Sequence, residues 1–268
     1  MEVGAAMKKK LLVIIGLIGL TLMIVFLVIL FSVILPEKKK DKEMLELVRQ
    51  YYADKIALYE EENEKYGDYE VDVAFLGDSL TDGYDVVNYY SEFLVVNRGI
   101  GGETTTGLEE RMQVSAYDLK PKVIVMLIGA NNMDKMFTNY ENILLGIKEN
   151  LPDTKVVILS LTAMGGEHWG SKNELAAYNN VKIKKYAEKY GFYFVDLFTP
   201  LYDVEIGEVY EGYTVDGGHF TKEGYDVVTS LVKPVVIEAL NDYYERWLIS
   251  SFIFLHKNDV FFTNLLKK

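Results

Sequence analysis

Residues 73–81 read VAFLGDSLT, a short apolar run that ends at Gly77 and then presents the hydroxyl of Ser79. Such a run predicts a buried strand that delivers a side chain to the C-terminal edge of a sheet, the edge where open α/β sheets bind ligands. A serine hydroxyl is a weak nucleophile at its own pKa, so chemistry at Ser79 requires a base, an orienter for that base and donors for an oxyanion. Residues 215–221, VDGGHFT, offer the first two. Asp216 and His219 lie three apart in a glycine-containing loop, so the carboxylate can turn back onto one imidazole nitrogen while the other faces Ser79. Such a carboxylate fixes the tautomer and stabilises the imidazolium that forms when the serine proton is taken. The same spacing also occurs in ordinary turns that carry a surface histidine, so it gains meaning only beside Ser79.

Two further stretches offer donors. Residues 97–106 read NRGIGGETTT, where glycines let backbone N–H groups approach a ligand closely. Residues 129–132 read GANN after the apolar run 123–128, which puts a side-chain amide at the end of a second strand. Backbone N–H groups and an asparagine amide are common donors to a tetrahedral oxyanion.

Together the four segments resemble the SGNH hydrolases, also called the GDSL esterase and lipase family, over residues 71 to 243. The resemblance implies Ser79 of GDSLT as nucleophile and, through its N–H, as one oxyanion donor. Gly102 of IGGET and Asn131 of GANN match the other two donors, and Asp216 and His219 of DGGH the rest of a catalytic triad. It also implies an α/β fold, three-layer α/β/α and flavodoxin-like, with a five-stranded parallel sheet in the order 2-1-3-4-5. The sequence departs from the usual pattern at Asn132, where aspartate is commoner, and at Phe220, where proline is frequent. Both departures leave the catalytic atoms intact and bear on the shape of two loops.

The elements that must position these residues can be read from periodicity. Strand-like runs at 71–76, 93–96, 123–128, 156–161 and 192–195 alternate with helical patterns at 105–117, 140–150, 172–190 and 221–244. Strands alternating with helices predict a parallel sheet, and about 200 residues suffice for one such domain. Ahead of it, Leu45, Val48, Tyr52, Ile56 and Tyr59 recur at helical spacing within 41–65, opposite a charged face. This predicts a helix that packs on the catalytic domain and spaces it from what precedes.

Residues 11–35 contain 25 residues without a charge, between Lys8, Lys9 and Lys10 and the charged stretch 37–43. As a helix this run exceeds the roughly 30 Å hydrocarbon core of a bilayer. It is longer than the apolar region of a cleaved signal peptide and lacks a small-residue exit. The expectation is therefore one N-terminal transmembrane signal-anchor helix, a single-pass cell-membrane protein with its catalytic domain outside a bacterial cell. The segments would be a short cytoplasmic N-terminus (1–10), the anchor (11–35), a charged linker and amphipathic helix (36–70), the hydrolase domain (71–244) and an apolar tail (245–268). Lysines flank 11–35 on both sides, so the positive-inside rule does not decide the orientation. The tail carries WLISSFIFL at 247–255, too short to span; docking on the domain is the first expectation, with the membrane interface or a poorly ordered tail as alternatives.

Net charge is −12 over 268 residues, which excludes a phosphate-backbone binder and so a nucleic-acid partner. The chain has no cysteine and three histidines. His168 and Trp169 follow the fourth strand run and are candidates for lining a substrate pocket. His168 and His256 lack partners at ligand spacing, so neither a metal nor another cofactor is expected. Asp78 and Asp196 read as loop-shaping acceptors. The function expected is a serine ester hydrolase that removes short, acetyl-like acyl groups from carbohydrate or other small esters through an acyl-enzyme. A lysophospholipase or lipase-like esterase, a surface acyltransferase and a non-catalytic binding module stand as alternatives.

Overall fold

The continuous apolar runs become strands buried on both faces. A computed structural model describes residues 7, 10, 18–19, 22–23, 25–27 and 29–265. The chain forms two compact units, residues 1–55 and 56–268. The sheet and all of the expected site residues lie in the second. A helix, α1 (Leu35–Asn63), precedes β1 (Val73–Gly77), β2 (Val95–Gly99), α2 (Thr105–Glu110), β3 (Val123–Leu127), α3 (Tyr140–Asn150), β4 (Lys155–Leu159), α4 (Asn173–Tyr190) and β5 (Tyr193–Val195). A small antiparallel hairpin of β6 (Tyr202–Asp203) and β7 (Glu208–Val209) then leads to α5 (Lys222–Leu265).

The five long strands form one parallel sheet in the order β2-β1-β3-β4-β5, as the resemblance implied. Alternate side chains leave opposite faces of a strand, and two cores follow. Ala74, Leu76, Ile124, Met126, Val156 and Ile158 pack with Ile143 and Ile147 of α3 and Ile183 of α4. Val73, Phe75, Val123, Val125, Val157 and Leu159 pack with Val228, Val232 and Val236 of α5 on the other side. Gly77 pairs in register with Gly99 on one side and Leu127 on the other, so β1, β2 and β3 end level. The loops after them therefore leave the sheet side by side.

Some expectations are changed by the structure, and others fall on residues it does not describe. Among the described residues no helix is long and apolar enough to cross a membrane. The expected span 11–35 falls partly outside those residues, since 11–17, 20, 21, 24 and 28 are not described. The helix expected over 41–65 begins earlier: α1 starts at Leu35 and follows directly on a π-helical turn, Leu30–Ile34, so Pro36 lies within a continuing helical path. Leu45 and Val48, placed on its packed face, are exposed. Tyr59 is buried and its hydroxyl donates to the carbonyl of Gly99 at 2.5 Å, and Arg98 pairs with Glu62. The helix expected over 105–117 breaks after Glu110, and a π-helical turn covers Gln113–Tyr117. The break falls where the Arg111 side chain is drawn inward. In the tail α5 runs on to Leu265, with Trp247, Leu248 and Ile249 exposed; the side chains from residue 250 onward lie outside the described ones, and with them the expected docking.

Candidate active site

Ser79 owes its place to what two glycines lack. A Cβ on Gly77 would stand 2.2 Å from Thr81 Oγ1 and 2.3 Å from the carbonyl oxygen of Leu127, and one on Gly99 would stand 2.2 Å from the backbone nitrogen of Asp82. Their absence lets the single helical turn Ser79–Asp82 fold tightly over the ends of β1 and β2. Asp78 caps that turn, its Oδ1 accepting from the N–H of Leu80 at 3.1 Å. Asn97 ties the turn to β2 by donating to the carbonyls of Thr81 at 2.6 Å and Tyr84 at 3.0 Å. Asp78 is buried, and its Oδ2 has no partner. Burial pushes its carboxyl up to about 7, against the smaller opposing pull of the Leu80 N–H.

The imidazole of His219 meets Ser79 from a loop far along the chain. Its Nε2 lies 2.9 Å from Ser79 Oγ, and its Nδ1 lies 2.7 Å from Asp216 Oδ2. The other carboxylate oxygen, Oδ1, accepts from the N–H groups of Gly218 at 2.9 Å and His219 at 2.8 Å. Partial burial works to raise the pKa of Asp216, but these bonds outweigh it and hold the carboxyl at about 2. An ionised acceptor on Nδ1 keeps the ring proton there, which leaves Nε2 as the acceptor facing the serine hydroxyl. Gly217 makes the loop possible. Its φ is +86°, and a Cβ there would lie 1.8 Å from the carbonyl oxygen of Gly165.

The expected donors lie at the same edge. Gly102 follows β2 with φ +77°, and the position its Cβ would occupy is open to 4 Å in every direction. Asn131 follows β3 in a short 3₁₀ turn (Ala130–Asn132). One hydrogen of its amide goes to the carbonyl of Glu103 at 2.9 Å, and the amide has a second to give. The departures from the family pattern fit their surroundings. Asn132 accepts from the N–H of Thr105 at 3.3 Å and donates to Thr105 Oγ1 at 2.9 Å. Phe220 is buried beneath the loop and meets Tyr225 edge to face.

Trp169 stands beside the triad loop with its ring perpendicular to that of His219, centroids 6.3 Å apart. His168 is exposed and touches Trp169 rather than His219. The turn carrying both is fixed to its neighbours: Gly165 N–H donates to the carbonyl of Gly217 at 2.8 Å, and Gly166 N–H to Glu208 Oε2 at 2.8 Å. Asp196 accepts from the N–H of Thr199 at 3.1 Å, a loop-shaping contact. Among the described residues no group of three or more His, Asp or Glu side chains could hold a metal ion. Periodicity and motifs do not point to Arg111 or Glu208. Asn97 and Glu103 had one signal, their place inside the 97–106 segment, which says nothing of their roles.

The GDSL-like lipase/acylhydrolase family matches residues 75–227, a stretch that holds Ser79, Gly102, Asn131, Asp216 and His219. Platelet-activating factor acetylhydrolase IB subunit alpha2 of Homo sapiens is 34% identical over 107 residues, 37% of this chain and 47% of the relative. The chain thus spans about half the length of the curated relatives it matches. Among solved structures, a GDSL-like lipase from Bacteroides thetaiotaomicron is 25% identical with a TM-score of 0.60, covering 69% of this chain and 98% of that one. Axe2, an acetylxylan esterase from Geobacillus stearothermophilus, shares the fold at 18% identity and a TM-score of 0.51, covering 63% and 95%.

Proposed function

The chain belongs to the GDSL-like lipase/acylhydrolase family and is an esterase, and on that premise we propose that Ser79, His219 and Asp216 are its catalytic triad. Ser79 Oγ attacks the acyl carbon of an ester while His219 Nε2 takes the hydroxyl proton. The carbonyl electrons move onto oxygen, and the N–H groups of Ser79 and Gly102 with the amide of Asn131 hold that oxyanion. As the tetrahedral species collapses, the bond to the alcohol oxygen breaks and His219 returns the proton to it. Water, deprotonated by the same nitrogen, then releases the acid from the acyl-enzyme. The observation that carries the reading is the unbroken relay of 2.9 Å from Ser79 to His219 and 2.7 Å from His219 to Asp216.

The substrate is proposed to be a short, acetyl-like ester of a carbohydrate or other small alcohol. Two similar proteins, one a curated relative and one a solved structure, are named for acetyl esters although their alcohols differ. A series of nitrophenyl esters from acetate to laurate tests this, with Ser79→Ala as control. The expected result is highest kcat/KM on acetate and no turnover in Ser79→Ala. A preference for long chains overturns the short-acyl reading, and undiminished activity in Ser79→Ala overturns the triad.

The same proposal includes tethering at the cell membrane, with the domain outside. Its support is the uncharged run 11–35, long enough as a helix to span a bilayer; lysines on both sides leave its orientation to the experiment. Fractionation of intact cells with added protease tests it. Recovery of the full chain in the soluble, protease-protected fraction would sink the tether.

A further inference from the structure

Arg111 and Glu103 form an ion pair whose side chains are only 2% and 4% exposed, with Nε 2.9 Å from Oε2. A buried pair is a poor source of stability compared with well-packed apolar residues, so its other contacts define its use. The remaining donors of Arg111 go to the carbonyl of Gly77 at 3.0 Å, the carbonyl of Arg98 at 2.9 Å and Ser115 Oγ at 2.8 Å. Gly77 ends β1 two residues before Ser79, and Arg98 lies in β2 just ahead of the loop that carries Gly102. Glu103 closes the circuit. Its Oε1 accepts from the N–H of Thr104 at 2.9 Å, and its carbonyl accepts the amide hydrogen of Asn131 at 2.9 Å. Gly107 leaves the room this needs, since a Cβ there would lie 1.9 Å from Glu103 Oε1.

We propose that Arg111 and Glu103 are positioning residues that hold the amide of Asn131 on the developing oxyanion. Neither touches the reacting atoms. One planar guanidinium fixes the nucleophile's strand end and the loop of Glu103 relative to each other, and the Glu103 carbonyl sets the orientation of Asn131. Donors fixed in advance need no reorganisation as charge develops, which is where such an arrangement acts on rate. A lysine keeps the charge of Arg111 but not the fork that reaches four partners at once. The inference rests on the ester-hydrolase reading of Ser79 and Asn131.

The test is a double-mutant cycle on nitrophenyl acetate hydrolysis with the full chain, using Arg111→Lys, Glu103→Gln and Asn131→Ala, with Ser79→Ala as control and thermal melts of each. Each of the first two is expected to lower kcat at least tenfold with KM changed less than threefold. Once Asn131 is alanine, the same substitutions should lower kcat less than threefold. Wild-type kcat in both variants overturns the proposal, and so does an equal loss in both backgrounds. If Arg111→Lys does not fold, Glu103→Gln, nearly the same in shape, carries the cycle. Loss of fold in Glu103→Gln overturns the proposal in favour of a purely structural pair. A wild type that does not turn over the ester is a separate result: it removes the esterase mechanism, and this proposal with it.

Discussion

The indole of Trp169 lies against Gly218 so closely that a methyl group there would fall 2.8 Å from Nε1 and 2.9 Å from Cε2. Gly218 is the residue before His219, and its N–H is one of the donors to Asp216. Gly218→Ala should therefore push the loop off Trp169 and away from Ser79, lowering kcat about tenfold or more, the order expected when a catalytic group moves by a fraction of an ångström. Steady-state kinetics of Gly218→Ala and of Gly218→Ala/Trp169→Ala check it. Removing the indole should restore part of the loss, and no recovery would show that the contact is not the cause.

Asp216 should be needed as an anion. Asp216→Asn keeps an acceptor for the backbone N–H groups but no longer fixes the proton on Nδ1 of His219. The expected fall in kcat is roughly a hundred- to ten-thousandfold, from loss of the correct tautomer. A fall of less than fivefold would mean that His219 is oriented by something else.

In the proposed mechanism Asn131→Ala removes a donor that matters chiefly when charge appears on oxygen. We expect kcat to fall roughly a hundred- to a thousandfold, with KM nearly unchanged. A change confined to KM would assign Asn131 to ground-state binding instead.

Gly99→Ala is expected to destabilise the domain by roughly 1–3 kcal/mol, because the added methyl meets backbone rather than a movable side chain. Thermal denaturation should show a clearly lower Tm. An unchanged Tm would mean that the Ser79–Asp82 turn shifts freely, contrary to the ties from Asn97.

Asp78 gives a pH dependence of stability with an unusual sign. Its carboxyl is raised from 3.8 to about 7 by burial, so the folded state binds the proton more tightly than the unfolded chain does. That contribution is fully present below about pH 4 and is lost as pH rises through about 7, amounting to roughly 4 kcal/mol at about 1.4 kcal/mol per unit. Urea midpoints of wild type and Asp78→Asn between pH 4 and 8 check the sign. The wild type should lose stability relative to the variant as pH rises, and a gap independent of pH would remove the effect.

The sheet was legible because strands buried on both faces are written as unbroken apolar runs, such as 123–128, whose burial leaves no polar alternation to confuse. The triad candidates were legible because each stands next to glycines at the end of such a run or in a short loop. Arg111 was not: it reads as one more charge on a helix, and only the folded chain shows its guanidinium turned under Gly77. The β6–β7 hairpin was not legible either, because strands of two residues carry no period. That the tail continues α5 was not legible because an apolar segment argues for burial without saying against what.

Ser79 and His219 are separated by 140 residues. Closing so long a loop is slow and entropically unfavourable until the sheet between them exists. Both His219 and α5, which covers one face of the sheet, follow β5, so a chain that reached only that far would lack one layer of its core as well as the imidazole.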